Sequence, residues 1–243
     1  MSNNPNIVLV HGAWADGSSW NKVIPLLEEA GYNVVATQHH LLSLADDAEI
    51  VRRAVEALDG PVLLVGHSYG GAVITEAAHL CATVTGLVYI AGFAPAAGES
   101  LASLSSASPV QPPGAAAIRP DKYGSLWIDR KMYADNFCQD LDKTEALTMA
   151  ATQKPLSVTS FTDKITNAGW EKLPCWYQVS LEDRMIPPQA EQFMAQRMNA
   201  TTISLPSSHA SMVSHPEEIA DLILNAAEEL ARPAAAAATA AMH

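Results

Sequence analysis

Basic residues are scarce in this chain. Lys and Arg number 14 against 26 Asp and Glu, a formal net charge of -12 over 243 residues. A surface of that sign repels polyphosphates, which argues against nucleic acid as a partner. Cysteine is scarce as well. Cys81, Cys138 and Cys175 are scattered and odd in number. No pair has metal-site spacing and no disulfide framework is laid out, so the three read as small buried hydrophobes. Long hydrophobic runs are missing. Nothing approaches the roughly 20 apolar residues of a membrane span. The opening MSNNPNIVLVHG has no basic n-region, and its apolar run is too short for a signal peptide. A soluble cytoplasmic protein without a membrane partner is the expectation. A dinucleotide fingerprint is also absent, because neither Gly66, Gly70 and Gly71 nor Gly12 and Gly17 make G-x-G-x-x-G.

What is present is core-forming material. Hydrophobic residues make up 49% and charged residues 16%, enough for one large domain with an insertion and too apolar for a disordered chain. Short apolar runs alternate with amphipathic segments. Strands are expected at Ile7–Val10, Val34–Thr37, Val62–Val65, Leu87–Ala91, Trp176–Leu181 and Thr201–Leu205. Helices are expected at Ser18–Ala30, from Leu44 to Leu58, and at Tyr69–Leu80, Pro188–Met198 and Glu217–Leu230. Leu44, Ala48, Val51, Val55 and Leu58 share one helical face, with Ser43 as cap and Gly60-Pro61 as stop. Strands that are apolar throughout, without alternation, predict a mostly parallel sheet of about six strands with helices on both faces.

Residues from about Pro95 to Trp170 break this rhythm. They are expected to form a helical cap, so the division reads as 1–94 and 171–232 for the core, 95–170 for the cap, and 233–243 for a flexible alanine-rich tail.

The chemistry centres on VGHSYGG at residues 65–71. Gly66-His67-Ser68-Tyr69-Gly70 fits G-x-S-x-G between a strand and a helix, the context of a nucleophile elbow. Glycine two residues before and after the serine relieves a turn too tight for side chains. Ser68 is left exposed at the sheet edge beside a helix N-terminus, and the Tyr69 N–H points at a developing oxyanion. A serine needs a base. The expected order is serine, acid, histidine. His11, His39, His40, His67 and His79 come too early or sit beside the serine, and His243 lies in the tail. His215 adjoins Pro216 at a helix start. His209 follows the last strand after a short loop and is assigned as base. The acid falls in Glu182-Asp183 after the preceding strand. Both carboxylates fit, and Asp183 is favoured because a short side chain at a tight turn fixes geometry better. Ala13, in the loop after the first strand, supplies a second oxyanion N–H. Trp14, Trp127, Phe137 and Met212 are candidate pocket residues. No metal and no cofactor is called for.

With LVHGAWADGSSW, VGHSYGG, EDRMIP and SSHASMVSHPEEIADLI in hand, the chain resembles the α/β-hydrolase fold superfamily from about Ile7 to Leu230. Within it, the likeness is to the small esterase and hydroxynitrile-lyase group, plant methyl esterases such as methyl salicylate esterase among them. The resemblance implies a triad of Ser68, Asp183 and His209, oxyanion donors Ala13 and Tyr69, and a helical cap over the pocket. The lyases most like this chain carry Thr where Gly12 stands and Lys after the catalytic histidine, where this chain has Ala210. Dehalogenating and epoxide-opening relatives commonly carry Asp at the elbow. The expected function is therefore hydrolysis of small, largely apolar carboxylic esters by a serine nucleophile. A lyase or C–C bond hydrolase with the same triad, and a non-catalytic small-molecule receptor, are the alternatives. The expected partner is a small ester, and a homodimer is compatible with the sequence.

Overall fold

A computed structural model describes residues 4–232. In chain order the first half runs β1 (Asn6–Val10), α1 (Val23–Glu29), β2 (Val34–Ala36), α2 (Leu44–Glu56), β3 (Val62–His67), α3 (Tyr69–Ala77) and β4 (Val84–Ile90). A long excursion follows with α4 (Leu101–Ala107), β5 (Ile118–Pro120), β6 (Ser125–Ile128), α5 (Tyr133–Phe137), α6 (Lys143–Thr152), β7 (Leu156–Ser157) and α7 (Val158–Thr162). The chain then returns through β8 (Cys175–Ser180), α8 (Pro188–Arg197), β9 (Thr201–Leu205), α9 (Ser211–Ser214) and α10 (Pro216–Ala231).

Six strands form one parallel sheet in the order β2-β1-β3-β4-β8-β9. Every residue of β3 and β8 is buried, which explains the apolar run Val62–Val65 in β3, while the polar residues of these strands, His67, Gln178 and Ser180, are buried with hydrogen-bond partners. The outer strands β2 and β9 are partly exposed, and β9 accordingly carries Thr201, Thr202 and Ser204. The chain steps from β1 outward to β2, then returns past β1 to β3. That reversal opens a crevice at the C-terminal ends of β1 and β3, the usual place for a ligand in an open parallel sheet.

Helix caps follow the local chemistry. Ser43 accepts from the Asp46 N–H at the start of α2, while Leu44, Ala48, Val51 and Val55 face the sheet. The single helix expected over Ser18–Ala30 is broken. A 3-10 turn at Gly17–Trp20 precedes α1, which begins only at Val23. Pro25 is the cause: it is tolerated in a first turn but would clash with the carbonyl four residues back inside a continuous helix.

The excursion is not purely helical. β5, β6 and β7 make a small antiparallel sheet. Its hairpin is set by Asp121, whose carboxylate accepts from the Tyr123 and Ser125 N–H groups, and by Gly124 at φ +83. The alanine-rich tail expected at 233–243 lies outside the described residues.

Candidate active site

Strand β3 ends at His67 and α3 starts at Tyr69, so the reversal falls on one residue. Ser68 has φ +53 and ψ -121, a conformation that strains any L side chain. Three backbone bonds hold it there. The Ser68 N–H donates to the Ile90 carbonyl at 3.1 Å, and its carbonyl accepts from Gly71 and Phe93, each at 3.0 Å. The flanking glycines are required by contact. A Cβ at Gly66 would lie 2.5 Å from the Gly70 oxygen, and one at Gly70 would lie 2.4 Å from the Val10 oxygen.

The structure brings Ser68, His209 and Asp183 into one line. Ser68 Oγ lies 2.8 Å from His209 Nε2, and His209 Nδ1 lies 2.5 Å from Asp183 Oδ2. Nδ1–H donates to the Asp183 carboxylate, which leaves Nε2 bare to accept from the serine hydroxyl. The other oxygen of Asp183 accepts from Met185 and Ile186 N–H groups at 2.6 and 2.8 Å. Glu182 is exposed on the same turn, and its carbonyl takes the Gln139 amide at 2.7 Å. Behind Asp183, fully buried Glu191 accepts the Ser180 N–H at 2.8 Å. Burial, with the charge of Asp183 beside it, raises the Glu191 pKa well above its ordinary value.

The loop after β1 passes directly over the elbow. A Cβ at Gly12 would sit 2.8 Å from both Ser68 Cβ and His67 Nδ1. This contact places Ala13 and Trp14 beside the nucleophile, and both line the cavity above it. Trp14, at φ +57, is tied down twice: its indole donates to the Leu126 carbonyl at 2.8 Å, and its own carbonyl accepts from Tyr133 OH at 3.1 Å. His11 donates from Nδ1 to the Gly12 carbonyl at 2.8 Å, and burial pushes its pKa down to about 4. It braces the loop as a neutral ring.

The chain between residues 7 and 222 matches the model of the alpha/beta hydrolase family. The chain belongs to the alpha/beta hydrolase family. A pyrethroid hydrolase of Sphingobium wenxiniae (strain DSM 21828 / CGMCC 1.7748 / JZ-1) is 27% identical, over 92% of this chain and 88% of its own. A carbendazim hydrolyzing esterase of Nocardioides sp. (strain SG-4G) is 38% identical over 41% of this chain and 46% of its own. A solved pyrethroid hydrolase structure superposes with a TM-score of 0.79 at 25% identity, covering 94% of this chain and 99% of the other. This alpha/beta hydrolase is thus an enzyme of the carboxylesterase-type hydrolases.

The cavity holding Ser68, Tyr69 and His209 measures about 100 Å³ and is walled by Trp14, Phe93 and residues of the excursion between β4 and β8 that include Leu101, Ile118, Leu156 and Phe161. Three pocket candidates from the sequence lie elsewhere. Trp127 is 36% exposed on β6, its indole bonded to Asp121 at 2.9 Å. In that strand its neighbour Leu126 has the opposite orientation, so a one-residue alternation turned Trp127 outward. Phe137 is fully buried, edge-on to the His209 ring with centroids 4.9 Å apart. It packs against the imidazole and is not among the residues that wall the cavity above Ser68. Met212 is fully buried on α9, where the chain turns into the core just after His209.

One supporting residue carried no role in the sequence reading. His67 donates from Nε2 to the His209 carbonyl at 2.8 Å. It is wholly buried, and burial holds its pKa well below the histidine range. The available signal was an imidazole at the end of an otherwise apolar strand, a polar group that burial obliges to find a partner.

Proposed function

We propose that the chain is a serine hydrolase that cleaves small, largely apolar carboxylic esters through an acyl-enzyme on Ser68. The observation that carries this reading is the relay itself. Ser68 Oγ, His209 and Asp183 are linked at 2.8 and 2.5 Å, with the serine on a strained turn at the floor of an apolar cavity.

His209 Nε2 takes the hydroxyl proton as Ser68 attacks the ester carbonyl, and Asp183 stabilises the imidazolium. Charge develops on the former carbonyl oxygen. The N–H of Tyr69, the first residue of α3 with no acceptor inside its helix, and the N–H of Ala13 receive it. His209 then returns the proton to the leaving alcohol. Water, activated by the same imidazole, releases the acid and restores Ser68.

Two contacts weigh against lyase chemistry at this site. Ala210, buried beside His209, offers no cation for a departing anion. The space at Gly12 leaves no room for a threonine side chain. The test is hydrolysis of p-nitrophenyl acetate. Ser68→Ala should lose on the order of 10⁴-fold or more in kcat while keeping its melting temperature. Retention of most activity would overturn the serine mechanism.

A further inference from the structure

The cavity above Ser68 is small for a whole ester. Its volume of about 100 Å³ is below the roughly 300–1,000 Å³ of small-molecule sites. A second cavity of about 350 Å³ lies alongside, between α4, the turn after β8, and α8. The two share Phe93, Ser105, Pro112, Met185 and Ile186 as walls. No charged side chain lines the second cavity, and beyond the shared walls it is lined by apolar residues that include Leu104, Ala190, Phe193 and Met194, with Ser108 and Gln189 as the polar ones.

We propose that this side cavity is the subsite for the alcohol half of the ester, and that it selects a neutral alcohol bearing a ring or a branched alkyl chain. The inference rests on the acyl-transfer reading of Ser68. Within that reading, the leaving oxygen must receive its proton from His209 Nε2, so the alcohol departs on the side of His209 and its acid. The partition between the cavities is the acid's own turn. Met185 and Ile186 donate their N–H groups to Asp183 Oδ1, while Asp183 Oδ2 holds His209. Ile118, Leu156 and Phe161 of the cap line the small cavity alone and are left for the acyl group.

The partition is held in place from the cap. The Gly114 N–H donates to the Arg184 carbonyl at 2.7 Å, and a Cβ at Gly114 would lie 2.4 Å from Met185 Sδ. Thioethers at Met185 and Met194 pack well against aromatic rings, and Phe93 and Phe193 present rings of their own. Phe193 is 55% exposed and marks the cavity's opening to solvent. An alcohol released there can leave without passing the acyl-enzyme.

Two series of esters test this: methyl, butyl, benzyl and naphthylmethyl acetates, and methyl esters from acetate to octanoate. Ala190→Phe on α8 and Leu104→Trp on α4 fill the cavity from opposite walls. Each should lower the benzyl-to-methyl acetate ratio of kcat/KM by about tenfold or more, while the acyl series keeps its rank order. Phe193→Ala, at a position 55% exposed, should raise KM for benzyl and naphthylmethyl acetate severalfold with the melting temperature little changed. Equal losses on all acetates, a change that follows acyl length instead, or an unaltered benzyl preference in Phe193→Ala would overturn the subsite. Ester hydrolysis that survives Ser68→Ala overturns the acyl-transfer reading itself. Hydrolysis abolished by Ser68→Ala but indifferent to alcohol size overturns only the subsite.

Discussion

His39→Phe should make the protein less sensitive to acid. His39 is fully buried and stacks on His11, ring centroids 3.6 Å apart and planes within 12°. Neither of its ring nitrogens has a hydrogen-bond partner among the described residues. Burial therefore holds its pKa well below the histidine range, with the neighbouring His11 and Lys154 adding to the effect. The sign follows from linkage. Above an unfolded pKa of about 6.5 both states are neutral and His39 contributes no pH dependence. Below it the unfolded chain takes a proton that the folded chain refuses, so stability falls as pH falls. Integrated from pH 7 to pH 5, one imidazole that stays neutral in the folded protein costs at most about 2 kcal/mol. His11, with its pKa near 4, and His67 act in the same sense. Asp47 and Glu191 oppose them, because burial raises their pKa values and favours the folded state as pH falls. A difference between two proteins removes those shared contributions. Phenylalanine keeps a stacking ring and cannot titrate, and any packing cost of its larger ring is the same at both pH values. The assay is urea unfolding of parent and variant at pH 7 and pH 5 in matched salt. The parent should lose more stability than His39→Phe over that interval, by up to about 2 kcal/mol. Equal losses would refute the reasoning, because they would mean that the folded protein protonates His39 as readily as the unfolded one.

Asp183→Asn should cut kcat far more than Glu182→Gln, since an amide favours the wrong tautomer of His209 and cannot stabilise its imidazolium; steady-state kinetics with the inverse ranking would move the acid by one residue. Gly12→Ala should cost on the order of 10²-fold in kcat, because the new methyl displaces Ser68 Cβ or the loop carrying Ala13. A variant as active as the parent would show that the loop yields freely. His67→Phe removes the bond to the His209 carbonyl, so kcat should fall with KM little changed, and a rise in KM alone would count against a positioning role. Trp127→Ala should leave the rank order of esters as it was, since its ring faces solvent. A re-ranking by size would bring Trp127 back to the cavity.

The parallel sheet was legible because its central strands are buried on both faces. Ile7 to Val10 and Val62 to Val65 cannot be read as amphipathic, and each is followed by a segment with helical spacing. The helix break at Asn21-Lys22 was also written in the sequence, in Pro25, but a hydrophobic periodicity that continues across it masked the signal. The antiparallel sheet of the cap was harder to read. β5 to β7 are two to four residues long, too short for alternation to accumulate, and the Asp121 to Gly124 turn was their only strong mark.

The line of Ser68, His209 and Asp183 could be sought from the sequence because backbone collisions dictate its surroundings. A Cβ at Gly66 or Gly70 meets main-chain oxygens within 2.5 Å, and main chain cannot swing aside as a side chain can. Such a constraint admits few residue types, so it leaves a pattern. The walls of the cavity obey a weaker rule. Leu101, Leu156 and Phe161 come from three cap elements, and any apolar residue of similar volume would satisfy each place. Trp127 and Leu126 show the consequence, because adjacent apolar residues on β6 face opposite ways and composition does not distinguish them. Ligand selectivity therefore lies where the sequence is least constrained by the fold, and changes there can re-rank substrates without disturbing the elbow that Ser68 depends on.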